Sequence, residues 1–157
     1  MRVGTGYDVH RLAPGHRLVL GGVEVPFECG LIGWSDADVL VHAIIDALLG
    51  AANLGDIGHH FSPGDPKYKG ISSLVLLGWV GKKLAEKGYD IGNIDSVIIA
   101  EQPLLRDYIA DMCRNISQAL GIDAGSVSVK ANTSEELGFV GREEGMAASA
   151  VALITGK

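Results

Sequence analysis

The chain has 157 residues, 47% of them hydrophobic and 20% charged, with a formal net charge of −6. That length predicts one domain over residues 1–157 with enough chain to bury a substantial core. The acidic balance excludes nucleic acid as a bulk electrostatic partner, and no apolar run approaches the roughly 18 residues of a membrane span. Cys29 and Cys113 are isolated, which predicts two buried, inert thiols in a reducing, cytoplasmic setting. Met1-Arg2-Val3-Gly4 carries no signal-peptide pattern.

In chain order, residues 2–10 alternate loosely and predict a strand, and residues 17–20 and 23–25 two short strands around Gly21-Gly22. Ser35-Asp36-Ala37-Asp38 has the form of a capping box before a helix that runs to about Asn53. Leu40, Val41, Ile44, Ile45, Leu48 and Leu49 make that helix apolar almost all round, which predicts burial. Asp38, His42 and Asp46, spaced by four, form its one polar stripe. Residues 54–70 are rich in Gly and Pro and predict a loop of a length that is uncommon unless functional or disordered. Helices follow over 72–87 and 107–120, each stopped by Gly. Strands are expected over 94–100, 127–131 and 146–154, with a second Gly-rich segment over 135–145. The order of elements predicts an α+β (α/β two-layer) fold: a mostly four-stranded mixed sheet packed on helices, ferredoxin-like in style.

The chemistry starts at Asp8 and His10. On a strand, residues two apart share a face and stand roughly 6.5–7 Å apart along the chain. A third ligand from a neighbouring helix would complete a three-ligand metal site with one open position, the pattern of catalytic zinc. His42 is the candidate. A histidine on a helix is, taken alone, more often a hydrogen-bonded core residue. Burying Asp38, His42 and Asp46 on an apolar helix is nevertheless costly without partners. Two imidazoles and one carboxylate suit Zn²⁺, with Asp46 or Asp38 placed to orient His42.

Other motifs carry less. Gly4-x-Gly6 lacks the third glycine and the immediate helix of a dinucleotide fingerprint, so that reading is rejected. His59-His60 is read as loop or substrate-facing, and His16 as a solvated turn residue. Lys130 to Glu135 ends a strand. It is either polar turn chemistry or a phosphate cradle of hydroxyls and N–H groups, with Glu135 able to take a hard cation such as Mg²⁺. Arg142 is either a surface ion pair or an anion contact. No Ser-His-Asp or Cys-His arrangement and no Gly-x-Ser-x-Gly elbow is present, so the chemistry needs no protein nucleophile.

Taken together, Gly4-x-Gly6-x-Asp8-x-His10, Ser35-Asp36-x-Asp38-x-x-x-His42, Asp46-Ala47-Leu48-Leu49-Gly50-Ala51, Gly55-Asp56-Ile57-Gly58, Asp65-Pro66 and Leu137-Gly138-Phe139-x-Gly141-Arg142 cover the whole chain. This spaced set resembles the 2-C-methyl-D-erythritol 2,4-cyclodiphosphate synthase family of non-mevalonate isoprenoid synthesis. The resemblance implies a homotrimer with active sites at subunit interfaces. It implies Zn²⁺ on Asp8, His10 and His42, and a second cation, Mg²⁺ or Mn²⁺, bridging Glu135 and the substrate diphosphate. The erythritol part would lie against Asp56, Ile57, Gly58 and the loop of Phe61, Ser62, Pro63, Gly64 and Asp65. Asp8, Val9, His10, Trp34 and Ser35 are also implied substrate contacts. The neighbouring subunit would hold cytidine through Ala100, Glu101, Gln102, Pro103, Leu104, Leu105 and Arg106, and through Ala131, Asn132, Thr133 and Ser134. Phe139 and Arg142 would line a central channel able to hold an isoprenoid phosphate.

The implied reaction is an intramolecular attack of the 2-phosphate on the β-phosphorus of the cytidine diphosphate arm, releasing CMP. Thr133 and the residue at position 34 are the implied catalytic positions. The family has His where this chain has Trp34, and indole donates one hydrogen bond but carries no positive charge. Leu104 stands where the family has Lys, with Arg106 two residues on, and Asn132 replaces Thr. A working synthase with altered turnover or substrate handling is expected. The other readings are a trimer that binds metal and nucleotide without chemistry, and a zinc phosphohydrolase in which metal-bound water attacks phosphorus.

Overall fold

The computed structural model describes residues 1–157. A mixed sheet carries helices on one face. Its strands are β1 (Arg2–Pro14), β4 (Cys29–Leu31), β5 (Tyr89–Ile99), β6 (Val127–Asn132) and β7 (Gly145–Gly156), in the spatial order β4-β1-β7-β5-β6. β1 and β5 both run antiparallel to β7, and β5 pairs in parallel with β6. The short strands β2 (Leu18–Leu20) and β3 (Val23–Val25) form a separate hairpin about Gly21-Gly22. Both glycines have positive φ (+56° and +71°), as a tight hairpin turn requires.

The helices are α1 (Val39–Ala51), α2 (Ile57–His60), α3 (Ser73–Glu86), α4 (Ile109–Leu120) and α5 (Gly138–Gly141). Two expectations about the sheet need correction. It has five strands rather than four, because the three-residue β4 pairs with the extended end of β1. The long elements run β-α-α-β-α-β-β, whereas a ferredoxin-like unit runs β-α-β-β-α-β, so a second helix follows α1 and the parallel β5–β6 pair replaces a hairpin. The loop over residues 54–70 also contains α2 and a single 3₁₀ turn at Pro66–Tyr68.

Helix α1 positions the site. Leu40, Ile44, Ile45, Leu48 and Leu49 are fully buried, each contributing roughly 1.5–3 kcal/mol over an exposed position. The helix lies directly on β1 and β7 and also meets α3. Gly4-x-Gly6 makes that contact possible. A Cβ at Gly6 would stand 1.9 Å from the Ala43 carbonyl oxygen, and one at Gly4 2.0 Å from that of Ala47. Backbone therefore packs on backbone, and the next two residues on the same face of β1, Asp8 and His10, reach the side chain of His42.

The helix is capped by Asp38, not Ser35. The Asp38 carboxylate accepts from Val41 N–H (3.1 Å) and from Gly21 and Gly22 N–H (3.0 and 2.7 Å), tying the hairpin to the start of α1. Burial and the nearby Asp36 charge push its pKa up to about 6, against the pull of those three N–H groups. The opposite face of the sheet leaves Val3, Tyr7, Val9 and Val151 exposed. No helix is long and apolar enough to cross a membrane.

Candidate metal centre and adjoining cavity

Asp8, His10 and His42 converge as expected. Asp8 Oδ2 is 2.9 Å from His10 Nε2 and 3.1 Å from His42 Nδ1, and the two ring nitrogens are 3.1 Å apart. The outer side of each ring shows which nitrogen is free. His10 Nδ1 is 2.8 Å from the Ile32 carbonyl, which only accepts, so Nδ1 carries the proton and Nε2 faces inward. His42 Nε2 is 2.8 Å from the Ser73 hydroxyl, and that hydroxyl donates to the Asp36 carboxylate. Ser73 therefore accepts from His42 Nε2–H, leaving Nδ1 as the inward atom.

Three electron pairs then meet with no donor between them, an arrangement stable only with a shared positive charge. A proton on His10 is one way to supply it. Burial lowers the His10 pKa, but the hydrogen bond and charge of Asp8 outweigh this and raise it above the ordinary 6.5. Burial likewise opposes ionisation of Asp8, yet the two histidines hold its carboxyl well below the usual carboxylate range. A small cation is the other way, and two imidazoles with a carboxylate are a donor set that suits one.

The chain orienting His42 differs from expectation. Asp38 is spent on its cap, and Asp46, raised by burial, accepts from Ile57 N–H at 2.8 Å. Ser73 and Asp36 perform the task, with Ser35 Oγ a further 3.1 Å contact to His42 Nε2. Ser73 N–H also donates to Asp36, at 3.0 Å. Ser73 opens α3, 31 residues from His42, and only its place at a helix start hints at a polar role. Gly33 completes the frame: a Cβ there would stand 3.0 Å from His10 Cε1.

A cavity of about 280 Å³ adjoins the triad, lined by Asp8, His10, Trp34, Ser35, His42, Ile57, Gly58, Phe61, Pro63, Tyr68 and Leu76. Tyr68 and Leu76 are additions; Tyr68 follows Pro66 in the turn, and Leu76 belongs to the apolar face of α3. Ser62, Gly64, Asp56 and Asp65 lie outside the lining. Asp56 caps α2 by accepting from His59 N–H at 2.9 Å, and Asp65 caps the 3₁₀ turn through Lys67 N–H at 3.1 Å. His60 does not face the cavity. Its Nε2 donates to the Leu54 carbonyl (2.7 Å) and its Nδ1 accepts from Lys83 (3.2 Å). The Val9 side chain lies on the opposite, exposed face of the sheet.

Residues 100–106, Ala131–Glu135, Phe139 and Arg142 do not reach this cavity. Residues 100–101 and 132–136 meet at the ends of β5 and β6, where Ala100 N–H donates to the Asn132 carbonyl at 3.0 Å. The expected cradle exists as a turn, with Glu135 and Glu136 at φ +54° and +63°. An internal anion fills it: Glu101 accepts from Ser134 N–H (2.8 Å), Ser134 Oγ (2.9 Å) and Glu136 N–H (3.4 Å), which lower its pKa. Lys130 is paired with Asp95 and Arg142 with Glu144, both on the surface. Leu104 is exposed, while Ala100 and Leu105 are buried in the core. Neither cysteine is fully buried, and burial pushes the Cys113 thiol up.

The YgbB family model matches residues 1–155. A 2-C-methyl-D-erythritol 2,4-cyclodiphosphate synthase of Dehalococcoides mccartyi is 69% identical over 157 residues, covering all of both chains. Among solved structures, the bifunctional IspDF of Campylobacter jejuni matches with a TM-score of 0.95 and 40% identity, over 99% of this chain and 42% of that longer one. IspF of Plasmodium falciparum in a CDP complex matches with a TM-score of 0.87 and 34% identity, over 99% and 96% of the two chains. Metal triad, fold and sequence agree, and the chain belongs to the YgbB family.

Proposed function

We propose that residues 1–157 form one synthase domain that converts 4-diphosphocytidyl-2-C-methyl-D-erythritol 2-phosphate into 2-C-methyl-D-erythritol 2,4-cyclodiphosphate and CMP. The setting is cytoplasmic, within non-mevalonate isoprenoid synthesis. One observation carries the reading: three inward donor atoms converge beside a cavity, in a chain 69% identical end to end to a relative bearing that enzyme's name.

An oxygen of the 2-phosphate attacks the β-phosphorus. The bond from that phosphorus to the bridging oxygen breaks, and CMP leaves with that oxygen and its electron pair. No water is consumed and no protein nucleophile takes part. The protein's task is to bring together two ends of a flexible molecule, where good alignment contributes ~7–11 kcal/mol. Ile57, Gly58, Phe61 and Tyr68 would enclose the erythritol part. Thr133, the first residue after β6, would hold the diphosphate as the catalytic hydroxyl, beside a cytidine resting on residues 100–106 and 131–134.

Asp8, His10 and His42 would hold Zn²⁺. Bonds of ~2.0–2.1 Å set tetrahedral zinc ligands roughly 3.3 Å apart, and the donor atoms here stand 2.9, 3.1 and 3.1 Å apart. Glu135 would share Mg²⁺ or Mn²⁺ with the diphosphate. These ions supply charge neutralisation at the phosphoryl oxygens.

A homotrimer would join the two halves of the site. The exposed apolar residues Val3, Tyr7, Val9 and Val151 favour a second copy on that face of the sheet. Phe139 and Arg142 would then line a central channel open to an isoprenoid phosphate. The test is turnover of the cytidine substrate with and without a chelator, read by product mass. Metal-dependent release of CMP with a cyclic diphosphate is expected. A linear bisphosphate, or retention of nucleotide with no CMP released, would overturn the reading.

A further inference from the structure

We propose that Trp34 is a positioning residue: its indole N–H and its carbonyl latch residues 65–70 onto the frame that carries the metal ligands. The inference deepens the synthase reading and rests on it for the substrate's place in the cavity. The indole N–H donates to the Asp65 carbonyl at 2.8 Å, and the Trp34 carbonyl accepts from Gly70 N–H at 2.8 Å. One residue therefore bonds both ends of the turn. The Asp65 carbonyl also accepts from Tyr68 N–H at 3.0 Å, so the latch meets the turn at its own closing bond. Lys69 adds its ammonium 5.8 Å from the centre of the indole ring.

The latched turn carries the wall of the cavity. Tyr68 is buried and stands edge-on to Phe61, ring centres 5.5 Å apart, and both rings line the cavity with Trp34. Trp79 backs them at 5.9 Å from Phe61 and 6.4 Å from Tyr68. On its other side Trp34 follows Gly33, which packs against the His10 ring. The latch thus joins wall and ligand frame through a single residue. Indole has one polar hydrogen, and here Asp65 takes it. Trp34 shapes the space for the non-nucleotide part of the substrate and donates nothing to its phosphates.

The chain's two tryptophans, Trp34 and Trp79, provide an internal control. Only Trp34 has a hydrogen-bonded indole N–H, so in the parent protein its indole proton should exchange more slowly than that of Trp79. Trp34→Phe keeps a ring and removes the donor. It should speed amide exchange across residues 65–70 about five- to tenfold, the loss of roughly one hydrogen bond. It should also raise KM severalfold with kcat within about twofold and metal affinity unchanged, as loss of uniform binding requires. Unchanged exchange would overturn the latch, as would a fall in kcat at constant KM, which would place the indole on the reacting groups. Should the variant not fold, equal exchange of the two indole protons in the parent would overturn it alone. Exchange is read without substrate: faster exchange in a protein whose parent forms no cyclic product keeps the latch and rejects the synthase reading instead.

Discussion

The region around the metal triad and the region proposed to hold the nucleotide are built in opposite ways. Asp8 Oδ2 and all four ring nitrogens of His10 and His42 have partners, which lie on β1, α1, α3 and the segment after β4. The place of the donors follows from the close backbone contact between β1 and α1 at Gly4 and Gly6. Beyond β5 and β6, Leu104, Leu137 and Glu135 are exposed, and one carboxylate, Glu101, holds the turn. Ligands held in place before the ion arrives spare the cost of ordering them on binding. One chain builds the metal triad from its own residues, whereas the proposed nucleotide site would be completed only in the proposed trimer.

Breaking the rigid half should cost most. Ser73→Ala removes the acceptor for His42 Nε2–H and should weaken metal affinity roughly 10–100-fold, measured by competition with a chromophoric chelator. Ser35, at 3.1 Å, is the weaker contact, and its loss should cost less. An unchanged affinity in Ser73→Ala would remove Ser73 and Asp36 from the site. Gly6→Ala pushes α1 away from β1 and should destabilise the fold by about 1–3 kcal/mol, as overpacking does. Denaturant melts should show that loss together with reduced metal content.

Protons test the same half more gently. The raised pKa of His10 means that its bond to Asp8 stabilises the metal-free chain fully below the ordinary 6.5 and ceases to do so as pH rises through the raised value. Asp8, held low, contributes above the ordinary 3.8 and ceases to do so as pH falls through its depressed value. A metal must displace the His10 proton, so affinity should climb roughly tenfold per pH unit and level off once His10 is neutral. Affinity flat from mildly acidic to neutral pH would show that no such proton is held. The smallest effect belongs to the other half. Glu101→Gln weakens an exposed turn and should raise KM for the nucleotide substrate a fewfold, leaving metal content unaltered.

The metal half was legible because its signals are local. Asp8 and His10 share a face by the two-residue period of a strand, and His42 stands out on a helix that is otherwise apolar. What joins them was not legible. Gly4 and Gly6 matched the start of a nucleotide fingerprint, and nothing in their spacing named Ala43 and Ala47 as the backbone they touch. Asp36 and Ser73 are 37 residues apart and meet only through packing of α3. Asp38 and Asp46 stood in the polar stripe, but turn and cap N–H groups claimed them first. Strand β4, three residues long, is too short for a period to register, and the start of β5 hides behind Gly92 and Asn93. Nothing in the sequence marked Glu101 as the carboxylate that holds the turn, because that role depends on residues more than thirty positions away.

Mixing subunits addresses the division most directly. His42→Ala abolishes the metal half and Thr133→Ala the nucleotide half, so each variant alone should be nearly inactive. If the halves meet across a subunit boundary, a mixture unfolded and reassembled in equal amounts should recover roughly a quarter of the parent activity, since each mixed trimer holds one intact site. Recovery near zero, in a mixture shown by mass to contain mixed trimers, would mean that one chain supplies the whole site and would contradict the division drawn here.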